Sequence, residues 1–317
     1  MTYKEKQRKL QAAKLHYKHP TLFNNDKGFG DYDNYKRLMF VLLNGENNFF
    51  NEIAKEAGDY FKENDISWWG DDKTLPTGHL LSSQIQCLNF LFALRKDKGA
   101  ILKIVQLFDA AIDDILPTML DKHSGYIAFE FVFDNANLLG EDDASARRGE
   151  FCTSIDAFII GLKKAKKILI PIEWKFTEEY LKSENKAKDL QKGMVRQNRY
   201  NHLIVKSAQL ITPEYFEDSI YYYEPFYELM RQTLLVEQMI TQGIADDYIH
   251  YIVIPNENQE LLEYNYEISH NNFESTWRNC LSDQTKFQII DSKHILQIIE
   301  SIPSYSKLAD YLKLRYY

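Results

Sequence analysis

The sequence has few cysteines and no long apolar run. Its three cysteines, Cys87, Cys152 and Cys280, form no CxxC pair, so they predict neither a structural zinc site nor a disulfide framework. No apolar run reaches the roughly 18 residues that a membrane-spanning helix needs. The first residues, MTYKEKQRKLQAAK, lack the apolar centre of a secretion signal. We therefore expect a cytoplasmic protein with no membrane association.

Several catalytic motifs are missing as well. The sequence contains no GxxxxGK[ST] phosphate loop, no GxGxxG after a strand, no GxSxG elbow and no HExxH. The eight histidines are scattered without metal-ligand spacing. ATP-driven, redox and serine-hydrolase functions therefore have no support in the sequence.

Acidic residues outnumber basic ones overall, but positive charge is locally concentrated. The net charge of −8 does not favour a generic nucleic-acid binder. Residues 1–20, however, hold six Lys or Arg against one acid, and residues 161–200 hold eleven against five. A local basic patch can attract phosphate even on an acidic protein. The alternative, that each cluster is only a solvated surface, stays open.

The chain is organised around a predicted β-hairpin at Ser154–Phe176. Two apolar, β-branched runs flank a short basic turn that opens with Gly161. We expect this turn to be centred near Lys164 and Ala165. In two antiparallel strands, the residue numbers of each opposed pair have the same sum. The centre of the turn therefore also predicts the register of the two strands.

Three charged residues interrupt the apolar strands of this hairpin. The predicted register puts Asp156 opposite Glu173, with roughly 4.5–5.5 Å between their Cβ atoms. Lys175 lies two residues further and points to the same face. Two carboxylates this close repel each other unless a cation lies beside them. Mg²⁺ is a cation that takes such oxygen ligands. The trio therefore predicts metal-assisted hydrolysis.

Asp156 followed by Glu173-Trp174-Lys175 resembles the D…(D/E)xK signature of the PD-(D/E)XK, or restriction-endonuclease-like, nuclease superfamily. The resemblance implies an α/β fold with an αβββαβ core and a mixed central sheet that has helices on both faces. It implies Mg²⁺-dependent hydrolysis of DNA, with Mn²⁺ as a substitute. Asp156, Glu173 and the carbonyl of Trp174 would hold the metal, and Lys175 would orient or deprotonate the attacking water.

Members of the superfamily often carry a further acid on a helix before the sheet. Here the predicted helix at 81–95 offers only glutamines. Glu130, an acid inside an apolar strand, is the candidate for this third acid, and Glu141 is the runner-up. Pairing of Glu130 with Arg147 or Arg148 is the alternative.

A second auxiliary residue is expected on the helix at 225–242. Some relatives in the superfamily use a glutamine on the helix after the ExK strand, and Gln232 resembles it loosely. Arg231 and Gln232 form a polar pair on this helix, between the apolar residues Met230 and Leu234. We expect this pair to approach the site.

The periodicity of the chain predicts strands at 126–133, 153–160, 168–176 and 248–255, and helices at 81–95, 99–116 and 225–242. These elements place the core at about 80–256, inside a restriction-endonuclease-like domain at 76–317. Residues 257–317 would add helical packing elements. Residues 1–75 are predicted to form an N-terminal helical arm or cap.

Two rival functions and one assembly question stay open. A nuclease-like module that no longer cleaves could bind nucleic acid or a protein, which the acidic balance and the missing helix acid favour. A glycosidase could use Asp156 and Glu173 as acid and base, but it gives Lys175 no role. Metal binding separates the nuclease from both. The sequence also leaves open whether the protein is a homodimer.

Overall fold

The computed structural model describes residues 1–32, 36–70, 72–118, 125–133, 138–141, 148, 152–181 and 184–317. In these residues the protein has a mixed α/β structure. The strands are β1 (Gly30–Tyr32), β2 (Lys36–Leu38), β3 (Asp114–Leu116), β4 (Ala128–Phe131), β5 (Ile155–Lys163), β6 (Lys166–Trp174), β7 (Asp247–Tyr248), β8 (His250–Val253) and β9 (Phe287–Ile290). The α-helices are α1 (Tyr3–Ala13), α2 (Asn51–Glu63), α3 (Ser83–Leu91), α4 (Lys98–Phe108), α5 (Leu190–Lys206), α6 (Phe226–Thr241), α7 (Gln259–Leu262), α8 (Phe273–Arg278), α9 (Ser292–Glu300) and α10 (Ser306–Tyr316).

A mixed sheet forms the centre of the described structure. Its strand order is β3-β5-β6-β8-β9, with β4 also paired to β5 and β7 also paired to β6. The strands β3, β4 and β6 run antiparallel to β5, whereas β6, β8 and β9 run parallel to one another. A parallel neighbour requires a long crossover, and the segment between β6 and β8, which contains α5 and α6, provides it. Strands β1 and β2 form a separate two-stranded sheet.

The central hairpin is confirmed with the predicted register. Ala157 of β5 pairs with Ile172 of β6, and the pairing continues to the turn, where Lys163 pairs with Lys166. The turn residues are Lys164 and Ala165, whose φ values are 52° and 65°. Positive φ at both central residues is the mark of a type I′ turn, whose twist matches that of the flanking strands. The turn thereby sets the register on which the positions of the charged residues depend.

Some of the element boundaries predicted from the sequence are wrong. The strand predicted to end at residue 160 continues to Lys163, and Gly161 lies inside it rather than opening the turn. The helix predicted at 99–116 ends at Phe108, and residues 114–116 form β3 instead. Asp109 ends this helix because its carboxylate accepts the backbone N–H of Ala111 at 2.9 Å, which favours a local turn over the helix.

The predicted N-terminal helical arm contains more than helices. Residues 1–75 include α1 and α2, and they also include the two-stranded sheet of β1 and β2. Strand β9, which extends the central sheet beside β8, was not predicted from the sequence. The proposed division of the chain at residue 75 stays a prediction.

Apolar side chains cover both faces of the central sheet. Ala157 and Ile159 of β5 belong to a cluster that includes residues of α2, α3, α4, α9 and α10. Phe158, which lies between them, belongs to a second cluster that includes residues of α5, α6 and α8. Successive residues of a strand point to opposite faces, so helices pack on both sides of the sheet. Among the described residues, no helix has the length and apolar character needed to cross a membrane.

This alternation breaks at Glu130 in β4. Phe129 lies in the first cluster and Phe131 in the second, although residues two apart in a regular strand share a face. Glu130 has a φ of 46°, in the left-handed region that residues with a Cβ adopt at a cost of about 1–3 kcal/mol. Such conformations cluster at functional sites, and Glu130 is the acid that the sequence predicted as an auxiliary site residue.

The turn geometry predicts that Ala165→Gly stabilises the protein. Glycine adopts a φ of 65° without the steric penalty of a Cβ, and the side chain at this position is exposed. We expect the free energy of unfolding to rise by about 0.5–1 kcal/mol, measured by urea denaturation. Ala165→Val, which adds a branched side chain at the same φ, should have the opposite sign. Equal stability of both variants would contradict the assigned turn.

Candidate functional site

Three carboxylates lie in one row across three neighbouring strands. In β4 and β5, Phe129 pairs with Ala157 and Phe131 with Ile155, so Glu130 lies between these pairs, across from Asp156. The register of β5 and β6, extended by one residue, puts Asp156 opposite Glu173. The two predicted metal ligands and the predicted third acid are thus neighbours, at the end of the hairpin farthest from its turn.

Burial raises the pKa of each acid in this row. Glu130 and Glu173 are only 7% and 5% exposed. Desolvation is the largest cause of each shift, and the charges of Glu173 and Glu130 raise the pKa of Asp156 further. Each carboxyl group of the row therefore holds a proton more readily than an exposed acid does.

Lys175 is held between two carboxylates. Its Nζ lies 2.6 Å from Oε1 of Glu173 and 2.5 Å from Oε2 of Glu228. Burial alone would lower the pKa of Lys175, but Glu173 and Glu228 outweigh it and raise this pKa above its usual value. Of the two roles expected from the sequence, an ammonium in this state suits orienting a water and offsetting negative charge better than removing a proton.

Gln232 contacts the same acid from helix α6. Its Nε2 donates to Oε2 of Glu173 at 2.5 Å and to the carbonyl of Ser154 at 2.9 Å. Its Oε1 lies 2.9 Å from Nε2 of His250. Burial lowers the pKa of His250 to about 3, so the ring is neutral and its Nε2–H can donate to Gln232. The glutamine predicted from a loose resemblance therefore lies against Glu173.

Glu130 is held by residues of other segments. Gln84 of α3 donates to its Oε1 at 2.7 Å, and the Ser154 hydroxyl donates to its Oε2 at 2.8 Å. Nε of Arg148 donates to the backbone carbonyl of Glu130 at 3.0 Å. Arg147, the other predicted partner, lies outside the described residues. Gln84, on the helix before the sheet, thus binds Glu130, the candidate for the third acid.

Glu141, the runner-up for the third acid, has a structural position. Its carboxylate accepts the backbone N–H of Thr153 at 2.6 Å and the Thr153 hydroxyl at 2.7 Å. It also accepts the hydroxyl of Tyr200. Glu141 therefore anchors the segment that leads into β5, one residue before Ser154.

A cleft of about 370 Å³ lies over the row of acids. Of the described residues that line it, five carry carboxylates and two are cationic: Glu130, Asp156, Glu173, Glu178 and Glu228, against Lys175 and Arg231. Trp69 also lines the cleft, and its side chain is partly exposed. The cleft is thus strongly acidic, which suits a cation better than a free anion.

Sequence reasoning missed Glu228 and Ser154, and it noted Gln84 only as a glutamine of the helix before the sheet. Glu228 lies four residues before Gln232 on α6, so the helical period alone puts both on one face and was a usable signal. Ser154 and Gln84 had no such signal. Their acid partner, Glu130, belongs to another element, and only the tertiary structure brings them together.

The chemistry of the predicted ligands fits a hard divalent cation. Two carboxylates and the backbone carbonyl of Trp174 offer the oxygen ligands that Mg²⁺ prefers. Oδ2 of Asp156 accepts the Trp174 N–H at 2.7 Å, and its Oδ1 has no hydrogen bond to a described residue. A cation here would also favour the charged form of the three carboxyl groups, which burial disfavours most and neighbouring acids disfavour further. In the part of the chain that the structure describes, no group of three His, Cys, Asp or Glu residues is placed to hold one metal ion, so the mixed set stays a prediction.

The contacts of Gln232 predict that Gln232→Leu destabilises the protein. The change removes a donor from buried Glu173 and an acceptor from His250, and each unsatisfied buried group costs about 1–3 kcal/mol. Gln238→Leu on the same helix is the matched control, because Gln238 is only partly buried. Urea denaturation should show a much larger loss for Gln232→Leu. An equal loss in the two variants would mean that the contacts of Gln232 contribute little.

A comparison with protein families gives a match over nearly the whole chain. The model of a family described as Restriction Endonuclease associating with ARP matches residues 7–317. No curated protein matches the chain. No solved structure matches it either.

Proposed function

We propose that the protein, which belongs to the family of restriction endonucleases associating with ARP, is a Mg²⁺-dependent nuclease that hydrolyses phosphodiester bonds of DNA. Membership of this family suggests a nuclease-like function. The observation that carries the finer proposal is the row of Glu130, Asp156 and Glu173 with Lys175 beside it. These residue types in one acidic cleft suit metal-assisted phosphodiester hydrolysis.

The same proposal includes the αβββαβ core of restriction-endonuclease-like proteins. The order of α3, β4, β5, β6, α6 and β8 along the chain supports it. In this assignment α4 and β3 are an insertion before the core strands, and α5 lies within the crossover. The mixed sheet agrees with the assignment, because β4, β5 and β6 are antiparallel whereas β8 is parallel to β6.

The proposed roles follow from the contacts of each residue. Asp156, Glu173 and the Trp174 carbonyl would hold Mg²⁺, which when bound supplies Lewis acidity and lowers the pKa of a bound water. Lys175 orients the attacking water and offsets negative charge on the phosphate. Gln232 fixes the carboxylate of Glu173 by its hydrogen bond of 2.5 Å.

A second candidate is a module of the same fold that binds nucleic acid without cleaving it. One observation favours it. Both oxygens of Glu173 are already engaged, one by Lys175 and one by Gln232, so a metal ion must compete with these contacts. This candidate predicts DNA binding without Mg²⁺-dependent cleavage.

The proposal predicts that Mg²⁺ raises the thermal stability of the wild-type protein. A ligand that binds only the folded state stabilises it by about 2.7 kcal/mol at a concentration of 100 times its Kd. Asp156→Asn and Glu173→Gln should abolish this shift, which differential scanning fluorimetry measures without relying on activity. Glu178→Gln, an acid of the same cleft outside the ligand set, should retain it. A shift that persists in both ligand variants would place the metal elsewhere.

The proposed role of Lys175 predicts a loss of cleavage without a loss of metal binding. Lys175→Ala should lower plasmid nicking on the order of 10²–10⁴-fold, while the stabilisation by Mg²⁺ remains. Lys175→Arg should rescue poorly, because guanidinium is a wide planar fork rather than a compact charge.

A purely structural role for Lys175 gives the opposite pattern. Because its ammonium separates Glu173 from Glu228, alanine would then destabilise the fold and arginine would restore it. Full activity in a folded Lys175→Ala protein would remove the lysine from the mechanism.

A further inference from the structure

Arg231 is the cation of the described cleft lining that donates no hydrogen bond to a described acid. Lys175, the other cation, is clamped between Glu173 and Glu228. Nη1 of Arg231 lies 3.9 Å from the Glu141 carboxylate, which is beyond hydrogen-bonding distance. Its contact with the Thr153 hydroxyl is long, at 3.3 Å.

Glu141 does not depend on Arg231 for its hydrogen bonds. The Thr153 N–H, the Thr153 hydroxyl and the Tyr200 hydroxyl already donate to its carboxylate. An arginine kept only as the counter-ion of a buried acid is expected to donate to it in a fork-like geometry. Arg231 does not have this geometry, so a role as the counter-ion of Glu141 does not explain its position well.

The guanidinium of Arg231 has N–H donors that make no hydrogen bond to a described residue. It lies over the ring of Tyr227, 4.7 Å from the ring centroid, which fixes its plane without using its N–H groups. Its Nε is buried and has no hydrogen-bond partner, and its Nη2 has no hydrogen bond to a described residue. A buried donor without a partner lowers stability, which indicates that an acceptor completes the site.

Helix α6 places this guanidinium beside the row of acids. Arg231 directly precedes Gln232, whose amide binds Glu173, and follows Glu228 by one helical turn. Thr153, which Arg231 contacts, precedes Ser154, whose hydroxyl binds Glu130. An anion bound by Arg231 therefore lies next to the proposed metal ligands.

We propose that Arg231 binds the non-bridging oxygens of a nucleic-acid phosphate in the cleft and thereby positions the phosphodiester beside Asp156 and Glu173. The planar fork of guanidinium matches two oxygens of a phosphate. The inference rests on the proposed function, because that function supplies the phosphate. It names Arg231 as a substrate-binding residue that the metal-ligand signature does not contain.

Binding measured without cleavage tests this inference. A short fluorescein-labelled DNA duplex is titrated in Ca²⁺, a hard cation that takes the same oxygen ligands as Mg²⁺, and affinity is read by fluorescence anisotropy over a range of salt. Arg231→Met should weaken binding about 10- to 100-fold. It should also make the slope of log K against log salt shallower by about 0.9, the value of one phosphate contact.

Two further variants separate binding from folding. Arg278→Met removes a cation of α8 that does not line the cleft, and it should leave affinity unchanged. Arg231→Lys keeps the charge and should restore the salt slope, while affinity stays several-fold weaker because the fork is lost. Thermal melting of each variant shows whether it is folded, and Arg231→Lys serves as the test if Arg231→Met does not fold.

The possible results point in different directions. Wild-type affinity and salt slope in folded Arg231→Met, or a lower melting temperature with unchanged binding, would overturn the inference. If the wild-type protein binds but does not cleave DNA in Mg²⁺ and Arg231→Met still weakens binding, the nuclease proposal fails and the role of Arg231 stands. If the wild-type protein cleaves and Arg231→Met binds normally, only the role of Arg231 fails. Absence of DNA binding by the wild-type protein overturns both.

Discussion

The burial of three neighbouring carboxylates is the constraint on which the structure around the cleft depends. Glu130, Asp156 and Glu173 repel one another; Glu130 and Glu173 are buried and Asp156 is partly buried. A buried charge is tolerated only when hydrogen bonds or opposite charges replace that hydration. Elements on both sides of the sheet therefore contribute donors, of which Gln84 comes from α3 and Gln232 from α6. At the cleft, the helices that pack on the sheet therefore also supply the hydrogen bonds that the buried acids need.

The hairpin register makes this arrangement possible. In a two-sided sheet, a slip of one residue moves every side chain of a strand to the opposite face. Such a slip between β5 and β6 would take Glu173 away from Asp156 and carry it into an apolar layer. The type I′ turn at Lys164–Ala165 prevents the slip by closing the hairpin with two residues. The exposed turn at one end of the hairpin thus determines which acids meet at the other.

Helix α6 is the second element that the site depends on. It presents Glu228, Arg231 and Gln232 at spacings of three and four residues, which put them on one side of the helix. Its apolar positions, such as Leu229 and Met230, anchor it in the second core cluster. The polar stripe is thereby held against the sheet, and the three side chains reach Lys175, the cleft and Glu173. A rigid helix is a suitable support for a site that must position both a metal and a substrate.

The sequence by itself determined the hairpin, the pairing of Asp156 with Glu173 and the direction of Lys175. These are local consequences of a period of two and a short turn. It did not determine where helix α4 ends, because Asp109 competes with the helix through a turn that the apolar period does not reveal. The left-handed conformation of Glu130 was equally invisible, since a strand pattern predicts regular alternation.

Only the tertiary structure decided which side chains meet the acids. Gln84, Ser154 and Glu130 come from separate segments, and no spacing along the chain predicts their hydrogen bonds. Glu228 was recognisable on the face of α6 that carries Gln232, but its contact with Lys175 depends on how that helix packs against the sheet. Local patterns in a sequence encode the elements and their faces. Packing decides which side chains of other elements these faces meet, because packing brings residues that are distant in the chain to the same buried charge.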